Sequence, residues 1–263
     1  MLHKQEFNSI NEFYKYICDT PFNDAFRWAT HSSVETGSYA QRWTKTSSFD
    51  EAVELMKNGW TDMAQQMTQK LQATPSMELA HQMRTVIGVA GFQPVVPLYL
   101  AGVPTNMVSK QMQPIKQKVI NVTKSVDYAG NVSADKIVEE SIKAMQIVKK
   151  LESQGYRVNL YIALGSFKRD TEILCKVKIK GANEKLNVSK LAFPLAHPSM
   201  LRRLFFRWIE VNPHVTKSFV GNYGAPATYG QLKKAFPNDV VLPAIFDGNV
   251  DEIKTVEDIR ASF

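Results

Sequence analysis

The chain has 263 residues, of which 44% are hydrophobic, 22% charged and 10% aromatic. This balance excludes disordered, collagen-like and low-complexity architectures, and the length provides for one large domain or two small ones with a core of real size. Two cysteines, Cys18 and Cys175, are too few for a disulfide scaffold or a cysteine-rich zinc site, and the net charge of +7 is a modest excess.

The opening residues Met1–Phe7 are polar with no apolar run behind them, which argues against a cleaved secretion signal and for a protein that stays in the cytosol. Residues 5–18 predict a helix, with Phe7, Ile10, Phe13, Tyr14 and Ile17 at helical spacing and Pro21 as its stop. Residues 25–46, rich in Thr, Ser and Gly, read as turns and short extended pieces. Ser48-Phe49-Asp50-Glu51 has the form of a capping box, so a helix starts there and ends at Asn58-Gly59. A second helix runs from Trp60 through Met63, Met67 and Leu71. From Thr85 to Ser109 there are 25 positions without a charge, interrupted by Pro94, Pro97 and Pro104. Three prolines break any membrane-spanning helix, so this stretch reads as a buried, irregular connection.

After Pro114 the pattern changes. Lys118–Thr123 reads as a strand, Lys124–Val132 as a loop, and Ser133 as the N-cap of a helix reaching about Gln154. Tyr156–Leu164 alternates as a second strand, which makes a βαβ unit with parallel strands. Ile173–Lys180 alternates sharply, with Ile173, Cys175, Val177 and Ile179 toward a core and Lys176, Lys178 and Lys180 toward water, the pattern of an edge strand. Asn187 or Ser189 caps a short helix that ends near His197. Pro198 opens another through Glu210, with Leu201, Leu204, Phe205 and Trp208 as its buried stripe and Arg202, Arg203 and Arg207 off it. Val240–Phe246 is the last strand, placed near an edge by Pro243. The sum is an α/β fold: a three-layer, Rossmann-like domain with a mostly parallel central sheet over 115–263. A mainly helical region, 1–114, packs on it.

Open α/β sheets bind ligands at the carboxyl ends of their strands. There Asn121-Val122-Thr123-Lys124-Ser125 has the spacing of Asp-x-Ser-x-Ser, in which a carboxylate and two hydroxyls offer oxygens to a hard divalent cation. That is the metal motif of von Willebrand factor A domains, and residues 115–165 resemble the start of one. The resemblance implies a divalent cation on Asn121, Thr123 and Ser125. Two departures stand against it: Asn121 replaces the carboxylate, and Lys124 sets a positive charge inside the motif. No other cofactor is expected. Neither a Gly-rich phosphate loop nor a catalytic constellation is present, and His197 and Cys175 read as core residues.

Charge is uneven along the chain. Met200–Lys234 carries six basic residues against Glu210 alone, whereas Ala235–Phe263 carries two basic against six acidic. Lys176, Lys178, Lys180, Arg202, Arg203 and Arg207 are therefore candidates for contact with a nucleic-acid backbone. Finally, Ser48–Ala52 leading to Asn58-Gly59-Trp60, together with Leu186–Trp208, resembles a family of uncharacterised bacteriophage-encoded proteins. The resemblance implies a phage source, the bacterial host cytoplasm or the virion, and no assigned catalytic residue. The expected function is protein–protein interaction in virion assembly or host-factor binding. Nucleic-acid binding and divalent-metal-dependent catalysis are the alternatives, and no membrane association is expected.

Overall fold

A computed structural model of the chain describes residues 2–72, 81–114, 118–168 and 171–245. The predicted helix over 5–18 is shorter and is preceded by a strand. The strand is β1 (Leu2–Phe7), and α1 spans Ile10–Asp19. Ser9 sets the break: its Oγ accepts a hydrogen bond from Glu12 N at 3.1 Å, fixing the first turn of α1. Phe13 and Ile17 of α1 point into the core. Three helices follow, α2 (Ser38–Thr44), α3 (Phe49–Asn58) and α4 (Thr61–Leu71). Ser48 caps α3 through Glu51 N, as predicted. The Glu51 carboxylate closes on Ser47 instead of Ser48, one residue wider than a capping box.

The uncharged stretch is not a buried connection. It lies in a separate three-stranded antiparallel sheet made of β2 (His81–Gly88), β3 (Gln93–Pro94) and β4 (Met107–Pro114), with a short helix, α5 (Val96–Leu100), between β3 and β4. Its strand order is β2-β4-β3, with His81 opposite Pro114 at its root and Gly88 opposite Met107 at its far end.

The main sheet begins with β5 (Val119–Ser125), α6 (Ala134–Ser153) and β6 (Arg157–Lys168). β5 and β6 run parallel, from Val119 opposite Arg157 to Ser125 opposite Ala163, and Ser133 caps α6 through Lys136 N. This is the predicted βαβ unit. β7 (Thr171–Lys180) returns antiparallel to β6, and α7 (Val188–Ala196) follows, capped by Asn187. The predicted helix after Pro198 contains a π-helical segment, Met200–Phe205, that passes into α8 (Phe206–Val211). The chain continues through β8 (Ala225–Pro226), α9 (Tyr229–Ala235) and β9 (Val240–Leu242), while Phe246 of the predicted last strand lies outside the described residues. The order is β1-β7-β6-β5-β9, with β8 beside β6. The fold is therefore α/β with a mostly parallel central sheet.

β7 is not an edge strand. β1 pairs with it in parallel, from Leu2 opposite Glu172 to Phe7 opposite Val177, so residues on both sides of position 114 build one sheet. Alternation along β5, β6 and β7 fills two cores. Val122, Leu160, Ile162, Cys175 and Val177 join the large cluster under α1, α6, α7 and the π segment. Ala163, Leu174 and Val241 face the other way, against Leu232 and Phe236 at α9. Burying each large apolar side chain contributes about 1.5–3 kcal/mol, so the large cluster holds most of the stability.

Candidate functional site

Because β5 and β6 are parallel, their carboxyl ends open on the same side. A cleft of about 340 Å³ lies there, walled in part by Trp43, Asp127, Tyr128, Ser166, Phe206 and Tyr223. Asp127 sits two residues past β5, buried, and its Oδ2 accepts hydrogen bonds from Gly165 N at 3.0 Å and Ser125 Oγ at 3.2 Å. The Tyr128 hydroxyl donates to Pro198 O at 3.1 Å, and burial raises its ionisation well above the usual range. On the far wall, Ser166 Oγ donates to the carbonyl of Tyr223. Gly224 permits that approach: its φ is +88°, and a Cβ there would stand 2.2 Å from Ser166 Oγ.

The most polar group behind the wall is Glu210, fully buried. It accepts from the Tyr223 hydroxyl at 2.6 Å, from Ser33 N at 3.1 Å and from Ser33 Oγ, while Tyr223 in turn accepts from Ser32 N at 2.9 Å. Burial raises the Glu210 carboxyl above its ordinary value despite these donors. The pair therefore ties the 32–33 loop to the cleft wall. Arg202, presented by the π segment, donates to the carbonyls of Trp43, Gly130 and Val132 and lies 5.0 Å from the Trp43 ring and 5.2 Å from that of Tyr128. These groups turn toward other groups of the chain, and the Ser166 hydroxyl proton goes to a backbone carbonyl and not to a base. Tyr128, Glu210 and Tyr223 carried no motif in the sequence.

The triplet read as a metal motif lies inside β5, not on a loop. Asn121, Thr123 and Ser125 share one face of the strand, and each is engaged, the first two by distant residues and Ser125 by its near neighbour Asp127. Asn121 Oδ1 accepts from Asn159 Nδ2 at 2.9 Å, Thr123 Oγ1 donates to Asp239 Oδ2 at 2.6 Å, and Ser125 donates to Asp127. Lys124 points to the opposite face, where its Nζ donates to Pro243 O at 2.6 Å. Burial pulls this lysine down to about 8, against the opposing pull of Glu140 and Asp127. The residues present do not fit a divalent ion: of the two carboxylates that touch the triplet, Asp239 already pairs with Lys176 at 2.5 Å and Asp127 accepts from Gly165 N and Ser125 Oγ. Among the described residues no group of three His, Cys, Asp or Glu side chains could hold a metal.

The six basic candidates do not form one exposed surface. Lys176 is buried on Asp239, with its Nζ 4.1 Å from the Tyr161 ring centroid and 4.7 Å from that of Phe236. Lys180 is buried on Glu152 at 2.5 Å and Val158 O at 3.1 Å. The reading that put these two lysines in water is thus corrected: Phe236, at the end of α9, and Asp239 cover Lys176, while a register shift between β6 and β7 at Leu160/Tyr161 accompanies the placing of Lys180 beside Glu152 of α6. Arg202 is the buried clamp described above. Arg203 is fully enclosed and binds Thr46 through Nε at 2.7 Å and the carbonyls of Ser33, Glu35 and Thr46 through its other nitrogens. Lys178 and Arg207 are half-buried, and the Arg207 guanidinium lies 3.6 Å over the Phe22 ring.

Among the described residues, exposed large apolar side chains gather on the arm formed by β2 to β4. Leu100 is 79% exposed, Val89 73% and Phe92 64%, and Met83, Ile87, Val96 and Tyr99 are each more than half exposed. Gly91 folds the tip flat onto β4, since a Cβ there would meet Val108 O at 2.1 Å. Phe92 N and Val95 N donate to Val108 O and Asn106 O at 2.9 and 2.7 Å, so the arm is a hydrogen-bonded element in its own right. Among the described residues no helix is long and apolar enough to cross a membrane.

The model of a family described as a domain of unknown function, DUF7192, matches residues 2–263. The chain belongs to that family. The matched span of the DUF7192 domain includes sheet, cleft and arm alike. No curated protein and no solved structure matches the chain.

Proposed function

We propose that this protein acts by holding other macromolecules, through protein–protein contact, and not by converting a small substrate. The observation that carries this reading is the exposed arm, whose 25 residues from Thr85 to Ser109 include no charge. Monomeric proteins rarely leave so much contiguous apolar surface in water unless something covers it. The cleft adds support, because its polar side chains are tied to protein partners. The likeness of 48–60 and 186–208 to phage-encoded proteins supplies the setting: a bacteriophage component in the host cytoplasm or the virion, serving assembly or binding a host factor. Apolar clusters on both faces of the sheet support a three-layer, von Willebrand A-like or Rossmann-like body as the mount for the arm.

The test places a photo-crosslinking amino acid at Phe92, Tyr99 or, as a control, Trp43, in cells making the full chain. The reading expects the two arm positions to yield a discrete cross-linked protein, reproducible with purified components. Cross-links from the arm to nucleic acid, or from Trp43 alone, would overturn it.

A further inference from the structure

We infer that the partner of the arm is a second copy of this chain, packed arm against arm about a two-fold axis. This rests on the reading that the arm is a protein contact surface. Three observations select the copy. The first is charge. From Thr85 to Ser109 the arm has no charged residue to meet a charged partner, its exposed cations Arg84 and Lys110 standing at the margin of that run, and an identical uncharged surface matches it by construction. Interfaces between copies of one chain are the more apolar class. The second is area. The seven arm side chains that are more than half exposed present, from the typical sizes of such residues, on the order of 900 Å² of apolar surface, against about 800 Å² a side in a stable interface. The third is the free edge. In the order β2-β4-β3 the central strand is β4, and among the described residues no strand pairs with the other side of β2 along His81–Gly88. Natural edge strands are usually blunted by proline, bulges or several charges. β2 has no proline, pairs with β4 without a register shift, and carries Arg84 as its one Asp, Glu, Lys or Arg residue. A second arm can both cover the apolar face and continue the strand pairing.

The experiment is sedimentation equilibrium of the full chain from 1 to 100 µM, with hydrogen exchange measured at both ends of the range. The expected result is a dimer whose dissociation exposes amides within 81–114. The double substitution Phe92→Asp with Leu100→Asp weakens association at least 100-fold. Both side chains point outward, so the variant keeps the circular dichroism and melting curve of the parent. A chain that stays monomeric at 100 µM overturns the inference, as does a dimer indifferent to the double substitution. If the monomeric chain still cross-links from Phe92 to a different protein, self-pairing falls and the contact-surface reading stands. If it cross-links to no protein, both fall.

Discussion

His197 lies face to face with Phe193, ring centroids 4.9 Å apart, and edge-on to Trp60 at 4.6 Å. Its Nδ1 accepts a hydrogen bond from Ser199 N at 3.1 Å, so the neutral ring carries its proton on Nε2. Burial pulls the imidazole from 6.5 down to about 4, with Glu51 acting weakly the other way. The folded state therefore binds fewer protons here than the unfolded state. The contribution is fully present above pH 6.5 and is lost as the pH falls toward 4, by on the order of 3 kcal/mol. Urea unfolding at pH 7.0, 5.5 and 4.5 measures this slope. In His197→Phe the component from this residue disappears, whatever the absolute stability of the variant. Equal slopes in the two proteins would show that His197 does not titrate as its surroundings require.

At the scale of elements, Lys176 and Asp239 join β7 to the approach of β9 across the two strands between them, and Thr123 of β5 shares the carboxylate. Asp239→Ala strands a buried ammonium and lowers stability by about 3–5 kcal/mol. Lys176→Met in the same chain recovers most of that loss, because two charges are easier to remove together than singly. A double-mutant cycle by chemical denaturation reads the coupling. A second prediction concerns the arm. Its root closes at His81 opposite Pro114, so replacing 82–113 by a short turn moves the melting midpoint by less than about 4 °C and abolishes self-association. These elements also show what the amino-acid pattern discloses. The α3 and α6 caps, the parallel β5/β6 pair and the α7 cap rest on local signals, Ser48, Ser133 and Asn187, and were legible. β1 was not: Phe7 continues the helical spacing of α1, and the partner that makes 2–7 a strand lies in β7. The lysines of β7 misled for a related reason, since alternation reports neither that the end of α9 covers Lys176 nor that a register shift brings Lys180 to α6. The arm misled in the opposite sense. Absence of charge ordinarily means burial within the chain, and here it marks a surface turned outward. In the cleft, Glu210 and Tyr223 meet only through the fold.

For the molecule as a whole, one sheet gathers the chain: β1 from its first residues, β9 from its last described strand, and the βαβ unit between them. Deleting residues 1–8 bares β7 along 172–177, next to Cys175 and Val177 in the large core. The expected outcome is aggregation at concentrations where the parent stays dispersed, followed by light scattering. A truncated chain that remains dispersed and melts as the parent does would mean β1 is dispensable.

The pairing of β1 with β7 also has a consequence in time. Leu2 finds its place beside Glu172, 170 positions further on, so a ribosome making this protein releases the outer strand long before its berth exists. At roughly 5–20 residues per second the wait is roughly 10–30 s. Through that interval the nascent segment must be kept from pairing elsewhere, and the sheet can be completed only after β7 and β9 have been made.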